Sequence, residues 1–364
     1  GRVDLRPRGR VVAGQSRALG RQHGPRRVSM TGAPSSSARP TTVAIARPRA
    51  VVKLSGRART TERARAHRIV RLVERHEDLA LDRARAPPVH SRDTCGRRDD
   101  TSVIARGPPG RLGRMHPTLR LAGDGLTLAA DAYGPDDGPP VLLFHGGGQT
   151  RHAWGGTARL LGDKGWLATT FDLRGHGDSG WSDDGAYTLD TFAADIRAVA
   201  AAQSRPPVLI GASLGGLSSL VAIAEAPPGL TVASGLVLVD VAPRLEEEGI
   251  ARIAEFMLGN LDGFASLEDV ADAVAAYNPH RPRPSDLSGL RKNVRLRDDG
   301  RWYWHWDPRF LQGGRTDEPR NFRNEDRLDD AARALTLPTL LIRGRQSDVL
   351  SEEGARHLLS LVPH

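Results

Sequence analysis

The stretch Val208-Leu209-Ile210-Gly211-Ala212-Ser213-Leu214-Gly215-Gly216 restricts what this chain can become more than any other segment. An apolar run typical of a buried strand enters Gly-x-Ser-x-Gly and leaves as a helix. A turn that tight brings backbone against backbone. Glycine at 211 and 215 removes the side chains that would collide, and the serine hydroxyl is left standing above the sheet edge. The helix N-terminus behind it favours negative charge developing there. Ser213 is therefore the candidate nucleophile, and the plainer alternative is a serine that only caps the helix.

The surrounding sequence repeats the same alternation of short apolar runs with helical stretches from residue 115 onward, the pattern of a mainly parallel sheet covered on both faces. Residues 119–122 and 126–132 form an opening hairpin around Gly123-Asp124-Gly125. Strands follow at 141–144, 167–171, 207–210, 236–241 and 339–342, with helices near 152–161, 189–202, after Ser213, and at 352–361. From 242 to about 335 the strand signal vanishes. Charged helical patterns at 245–258 and 267–277 mark an insertion between two sheet strands, and no internal repeat is visible.

Three further segments stand in a telling order around the serine. His145-Gly146-Gly147-Gly148 follows the strand at 141–144, Asp172-Leu173-Arg174-Gly175-His176-Gly177-Asp178-Ser179 follows the strand at 167–171, and Leu341-Ile342-Arg343-Gly344-Arg345-Gln346-Ser347-Asp348 runs out of the last strand. With Gly-x-Ser-x-Gly, this set resembles the alpha/beta-hydrolase superfamily over nearly all of residues 115–364. The resemblance implies an α/β fold with a helical cap over the site at about 242–335. It implies that the amides of Gly147 and Leu214 form the oxyanion hole, and that Asp348 is the triad carboxylate holding a histidine's Nδ1–H. Some members place the acid one strand earlier, which here is Asp240. The 172–179 segment is read as structural, so His176 and Asp178 are not assigned to catalysis, and His145 is read as bracing its loop.

Chain order in the family is serine, acid, histidine. Sixteen residues follow Asp348, and a helix over 352–361 uses most of them, so the expectation is that the catalytic histidine lies beyond residue 364. His357 falls inside that helix and His364 ends the chain. His280 and His305 in the cap are distant substitutes. The function implied is a cofactor-independent serine hydrolase of small apolar esters or related acyl compounds. A carbon-carbon bond hydrolase or a perhydrolase on the same triad, and a non-catalytic ligand-binding relative, are the alternatives. Epoxide and haloalkane hydrolases use Asp where this chain has Ser213. The aromatic alternation Trp302-Tyr303-Trp304-His305-Trp306 reads either as cap core or as the wall of an apolar pocket.

Residues 1–114 are of another kind. All 6 Trp, 7 Phe and 4 Tyr lie after them, and they carry 27 Lys and Arg against 9 Asp and Glu. Such a segment cannot bury enough surface to offset its ordering entropy, so disorder is expected, with one marginal helix at 61–86. It is either a basic tail or translated upstream sequence ahead of Met115. Basic clusters bind phosphates, but no aromatic residue interleaves these arginines for stacking, which disfavours a nucleic-acid role. No secretory signal and no membrane-spanning run is present, and the lone Cys95 has no internal disulfide partner, so the expectation is a cytoplasmic protein. No metal or organic cofactor is expected, and nothing in the sequence fixes an oligomeric state.

Overall fold

A computed structural model describes residues 118–279, 282–312, 322 and 324–362. The expectations for the basic segment, Met115, Cys95, His280 and His364 lie outside the described residues.

The order of strands follows from which runs are apolar on both faces and which on one. The seven-stranded sheet runs β1 (Leu119–Ala122), β2 (Thr127–Tyr133), β4 (Leu167–Phe171), β3 (Pro140–Phe144), β5 (Val208–Ala212), β6 (Gly235–Val239) and β9 (Thr339–Ile342). The β1–β2–β4 edge is antiparallel and the remainder parallel. The central strands are buried throughout because successive side chains enter two different cores. Leu142, Phe144, Leu209, Leu236 and Leu238 join one cluster with α2 (Leu189–Ala201) and α3 (Leu214–Ala224). Val141, Leu143, Ile210 and Val237 join the other, under α1 (Gly155–Asp163).

From β3 the chain winds one way to β4 and then returns on the other side to β5, β6 and β9. The carboxyl ends of β3 and β5 are thus neighbours at the point where winding reverses, which is where open α/β sheets bind ligands. Phe144 pairs with Gly211 there, so the loops after these two strands face each other.

Between β6 and β9 come α4 (Glu247–Leu258), α5 (Leu267–Tyr277), β7 (Val294–Leu296), β8 (Trp302–Trp304), α6 (Arg309–Gln312) and α7 (Glu325–Arg333), with α8 (Glu352–Leu361) following β9. The hairpin β7–β8 corrects the expectation that 242–335 is free of strands. Three residues per strand are too few for alternation to register. The usable signal was Asp299-Gly300 between two β-prone triplets, with Gly300 at φ 77°. A second correction concerns β6, which stops at Val239: Asp240 takes a left-handed φ of 55° and turns the chain out of the sheet.

Candidate active site

Ser213 sits between β5 and α3 at φ 46°, ψ −117°, a conformation that L side chains rarely adopt. The glycines around it are compulsory. A Cβ on Gly211 would lie 2.4 Å from the Gly215 carbonyl oxygen, and one on Gly215 would lie 2.5 Å from that of Phe144. Gly216 has the same constraint against Val241. The Ser213 hydroxyl makes no capping hydrogen bond to its own helix, whereas Thr188, Ser266 and Ser351 do cap theirs. Ser213 is half-buried, so its hydroxyl is neither sealed into the core nor spent on the helix end.

The glycine loop after β3 lies against it. The Cα–H of Gly146 points at Ser213, where a Cβ would come 3.3 Å from the serine Cβ. Gly146 donates its N–H to Gln149 Oε1 at 3.1 Å and Gly148 donates to His176 Nε2 at 3.1 Å. The intervening N–H of Gly147 donates to no protein group among the described residues. Nor does that of Leu214, the first residue of α3, whose N–H has no intrahelical acceptor. One of these amides follows the serine directly and the other lies on the loop that touches it.

His145 and His176 hold this arrangement from beneath. His145 Nε2 accepts from Leu173 N at 3.1 Å and its Nδ1 donates to the Gly146 carbonyl at 2.7 Å. His176 Nδ1 donates to the Arg174 carbonyl at 2.9 Å. Each ring is a neutral tautomer fixed by its acceptor role. Complete burial pushes His145 down to about 4, and burial together with the neighbouring His145 takes His176 to about 3. With both nitrogens of each ring engaged, neither is placed to relay a proton from Ser213.

The 172–179 turn is bound into the scaffold at nearly every residue. Arg174 forms a two-pronged pair with Asp195 at 2.7 and 2.8 Å. Gly177 has no room for a Cβ beside the Asp172 carboxylate, and Ser179 Oγ links the Asp172 carbonyl to Ala129 N. Arg151, which sequence reasoning missed, is the hub. Its buried guanidinium meets Asp131, Asp172 and Asp178. Burial works against its charge, and the three carboxylates more than compensate, holding it above the ordinary arginine range. No local pattern marks an arginine on a 3₁₀ turn as the partner of three distant acids. The cap docks on the same turn: Gly177 N donates to His305 O at 2.7 Å, and Asp307 N donates to Gly175 O at 2.8 Å.

The two candidate acids differ. Asp348, on the loop after β9, is half-exposed and forms an ion pair with Arg252 of α4. Asp240, after β6, accepts the Gly344 N–H at 2.9 Å. Of the five histidines among the described residues, none is hydrogen-bonded to Ser213, Asp240 or Asp348. His357 bonds Asp329 at 2.8 Å, joining α8 to α7, and His305 lies 3.7 Å from Asp178. Among the described residues no His/Cys/Asp/Glu cluster is spaced to hold a metal ion, and no helix is long and apolar enough to cross a membrane.

A mainly parallel sheet that reverses its winding beside a strained serine on a strand-to-helix turn has the architecture of an α/β hydrolase. The chain belongs to this family: residues 139–364 match the model for the alpha/beta hydrolase fold. Among curated proteins it is 32% identical over 236 residues to esterase Rv0045c of Mycobacterium tuberculosis, covering 62% of this chain and 72% of that one. It is also 32% identical over 142 residues to mouse protein phosphatase methylesterase 1, spanning 37% of this chain but only 36% of the relative. The crystal structure of the same mycobacterial esterase superposes with a TM-score of 0.51 at 29% identity, over 71% of this chain and 82% of that one. Hydrolase chemistry follows from this kinship.

Proposed function

We propose that the protein cleaves small apolar esters through an acyl-enzyme on Ser213, with Gly147 and Leu214 N–H as the oxyanion donors and Asp348 as the triad acid. The observation that carries the reading is the pairing of a strained, uncapped Ser213 with two amides that have no other acceptor. In the acylation step a base takes the hydroxyl proton while Oγ bonds the carbonyl carbon. The developing oxyanion is held by the two N–H groups, each worth about 3 kcal/mol in such sites. The carbon–alkoxide bond then breaks and the alcohol leaves with the proton. Water repeats the sequence to free the acid. Asp348 is favoured over Asp240 because its carboxylate meets only one mobile side chain, whereas Asp240 is committed to a backbone amide. An apolar substrate is supported by Met257 and Phe310, which border the oxyanion loop.

The test compares ester turnover with and without an added base. The full chain is given p-nitrophenyl butyrate with rising imidazole, beside Ser213→Ala, and fluorophosphonate labelling is read by intact mass. The expected result is an imidazole-dependent rate above that of Ser213→Ala and one label per chain, lost in the variant. Equal rates for both proteins and no label would overturn the proposal.

A further inference from the structure

The three consecutive glycines of the oxyanion loop present their bare α-carbons to three different elements. A Cβ on Gly146 would meet Ser213. One on Gly147 would meet the Phe310 ring, 3.3 Å from Cε1 and 3.4 Å from Cζ, and one on Gly148 would meet Met257, 2.8 Å from Cε and 3.1 Å from Sδ. Phe310 comes from α6 and Met257 from α4, far apart in sequence. The loop is therefore gripped between the candidate nucleophile on one side and two cap side chains on the other. Whatever places its carbonyl oxygen at Gly147 N–H must put its acyl group beside these two residues.

The two contacts differ in stiffness. Both are buried, Phe310 at 6% and Met257 at 5% exposed, but Phe310 sits in a ring cluster, 5.0 Å from His176, 6.0 Å from Phe192 and 6.3 Å from Tyr187, centroid to centroid. Met257 lies near the end of α4, and its unbranched thioether can repack without moving backbone. At the other end of α4, Gly249 sits so close to the acid loop that a Cβ would come 2.2 Å from the Asp348 carbonyl oxygen, and Glu246 N donates to Val349 O at 2.9 Å. This anchoring fixes the helix that carries Met257.

We infer that Met257 and Phe310 set the length of the acyl group this site accepts: Phe310 is a fixed wall, Met257 an adjustable stop, and the substrates are esters of short acids. This rests on the reading of Ser213 as nucleophile.

The test compares p-nitrophenyl acetate, butyrate and octanoate, with imidazole present, on the full wild-type chain, Met257→Ala and Met257→Phe. Wild type should favour acetate and butyrate over octanoate. Met257→Ala should raise the octanoate-to-acetate ratio of kcat/KM by about tenfold or more, and Met257→Phe should lower the butyrate-to-acetate ratio. A purely structural role would lower stability or all rates together and leave the ratios alone, so unchanged ratios in both variants would overturn the inference. Should wild type turn over no ester and take no fluorophosphonate label, the nucleophile reading fails and the inference falls with it.

Discussion

The Ser213 side and the Asp348 side of the candidate site are built by different means. Around Ser213 the geometry is set by backbone meeting backbone, Gly211 against Gly215 and Gly215 against Phe144, with Gly146 close on the serine Cβ and two buried neutral imidazoles filling the gaps beneath. The backbone of the Asp348 loop is gripped too, by Gly249, but its carboxylate meets only the half-exposed guanidinium of Arg252, while the Asp240 carboxylate accepts the Gly344 N–H. Backbone contacts between glycines cannot be rearranged without moving strands, whereas an exposed ion pair can be broken for about 1 kcal/mol or less. The candidate nucleophile Ser213 is therefore presented rigidly, and the carboxylate of the candidate acid Asp348 is held loosely enough to exchange partners.

The sharpest way to break this contrast is to put a side chain where backbone now touches. Gly215→Val places a Cβ where 2.5 Å separates it from the Phe144 carbonyl, an atom of a central strand. The expected cost is about 3 kcal/mol or more, with loss of soluble folded protein or a large drop in the urea midpoint. A variant that folds with an unchanged midpoint would mean that the turn is not gripped by its neighbours.

The imidazoles give the next largest effect. His145 and His176 have folded pKa values of about 4 and 3 against an unfolded value near 6.5. As the pH falls below 6.5 the unfolded chain takes up protons that the folded chain refuses, so stability is lost on acidification and retained above 6.5. Each histidine contributes a slope approaching about 1.4 kcal/mol per pH unit between the two values. Urea midpoints between pH 7.5 and 5 should fall accordingly, and His176→Gln should remove part of the slope, with His152 and His305, also held below their ordinary value by burial, contributing to the remainder. A flat profile over that range would sink the account of the loop as braced by neutral rings.

These two regions also differ in how much of them a reader of the sequence can see. The elbow was legible because its constraint is local: Gly211, Ser213 and Gly215 stand within five residues of one another, and a glycine's reason for being there is written in its neighbours. The same holds for β3 followed by the glycine run 146–148, for the continuous apolar runs of β3, β5 and β6, and for the structural reading of the 172–179 turn. What was not legible pairs residues distant in sequence without a repeating pattern. Arg151 reaches Asp131, Asp172 and Asp178; Arg252 reaches Asp348; Met257 and Phe310 close on glycines in another part of the chain. Charged side chains on a helix such as α4 look alike in sequence, and only packing decides which one meets a functional loop.

A smaller effect separates the two acids. Asp240→Ala leaves the Gly344 N–H without its acceptor and puts alanine at φ 55°, for an expected loss of about 1 to 3 kcal/mol. Asp348→Ala removes an exposed partner and should cost about 1 kcal/mol at most. Imidazole-supported ester turnover should rank the other way, with Asp348→Ala the more damaged. If Asp240→Ala were the one to lose turnover while keeping its fold, the acid would be Asp240.

The smallest expected change is the most informative about the acid side. Arg252 meets both Asp348 and, with its guanidinium 5.6 Å from the ring centroid, Tyr277 of α5, which is itself stacked on Phe256 at 4.3 Å. Arg252→Ala should therefore lower the urea midpoint by the equivalent of about 0.5 to 1 kcal/mol, part from the ion pair and part from the cation–π contact. Arg252→Met keeps the length of the side chain over Tyr277 and removes the charge. If the ion pair sets the value, Met and Ala variants should match, and the difference from wild type should shrink in high salt because exposed charges are screened. If packing over Tyr277 sets it, Met should restore most of the loss at any salt concentration. In the first case a partner approaching Asp348 displaces Arg252 at little cost, while in the second the guanidinium stays over the ring and the carboxylate is the group that must move.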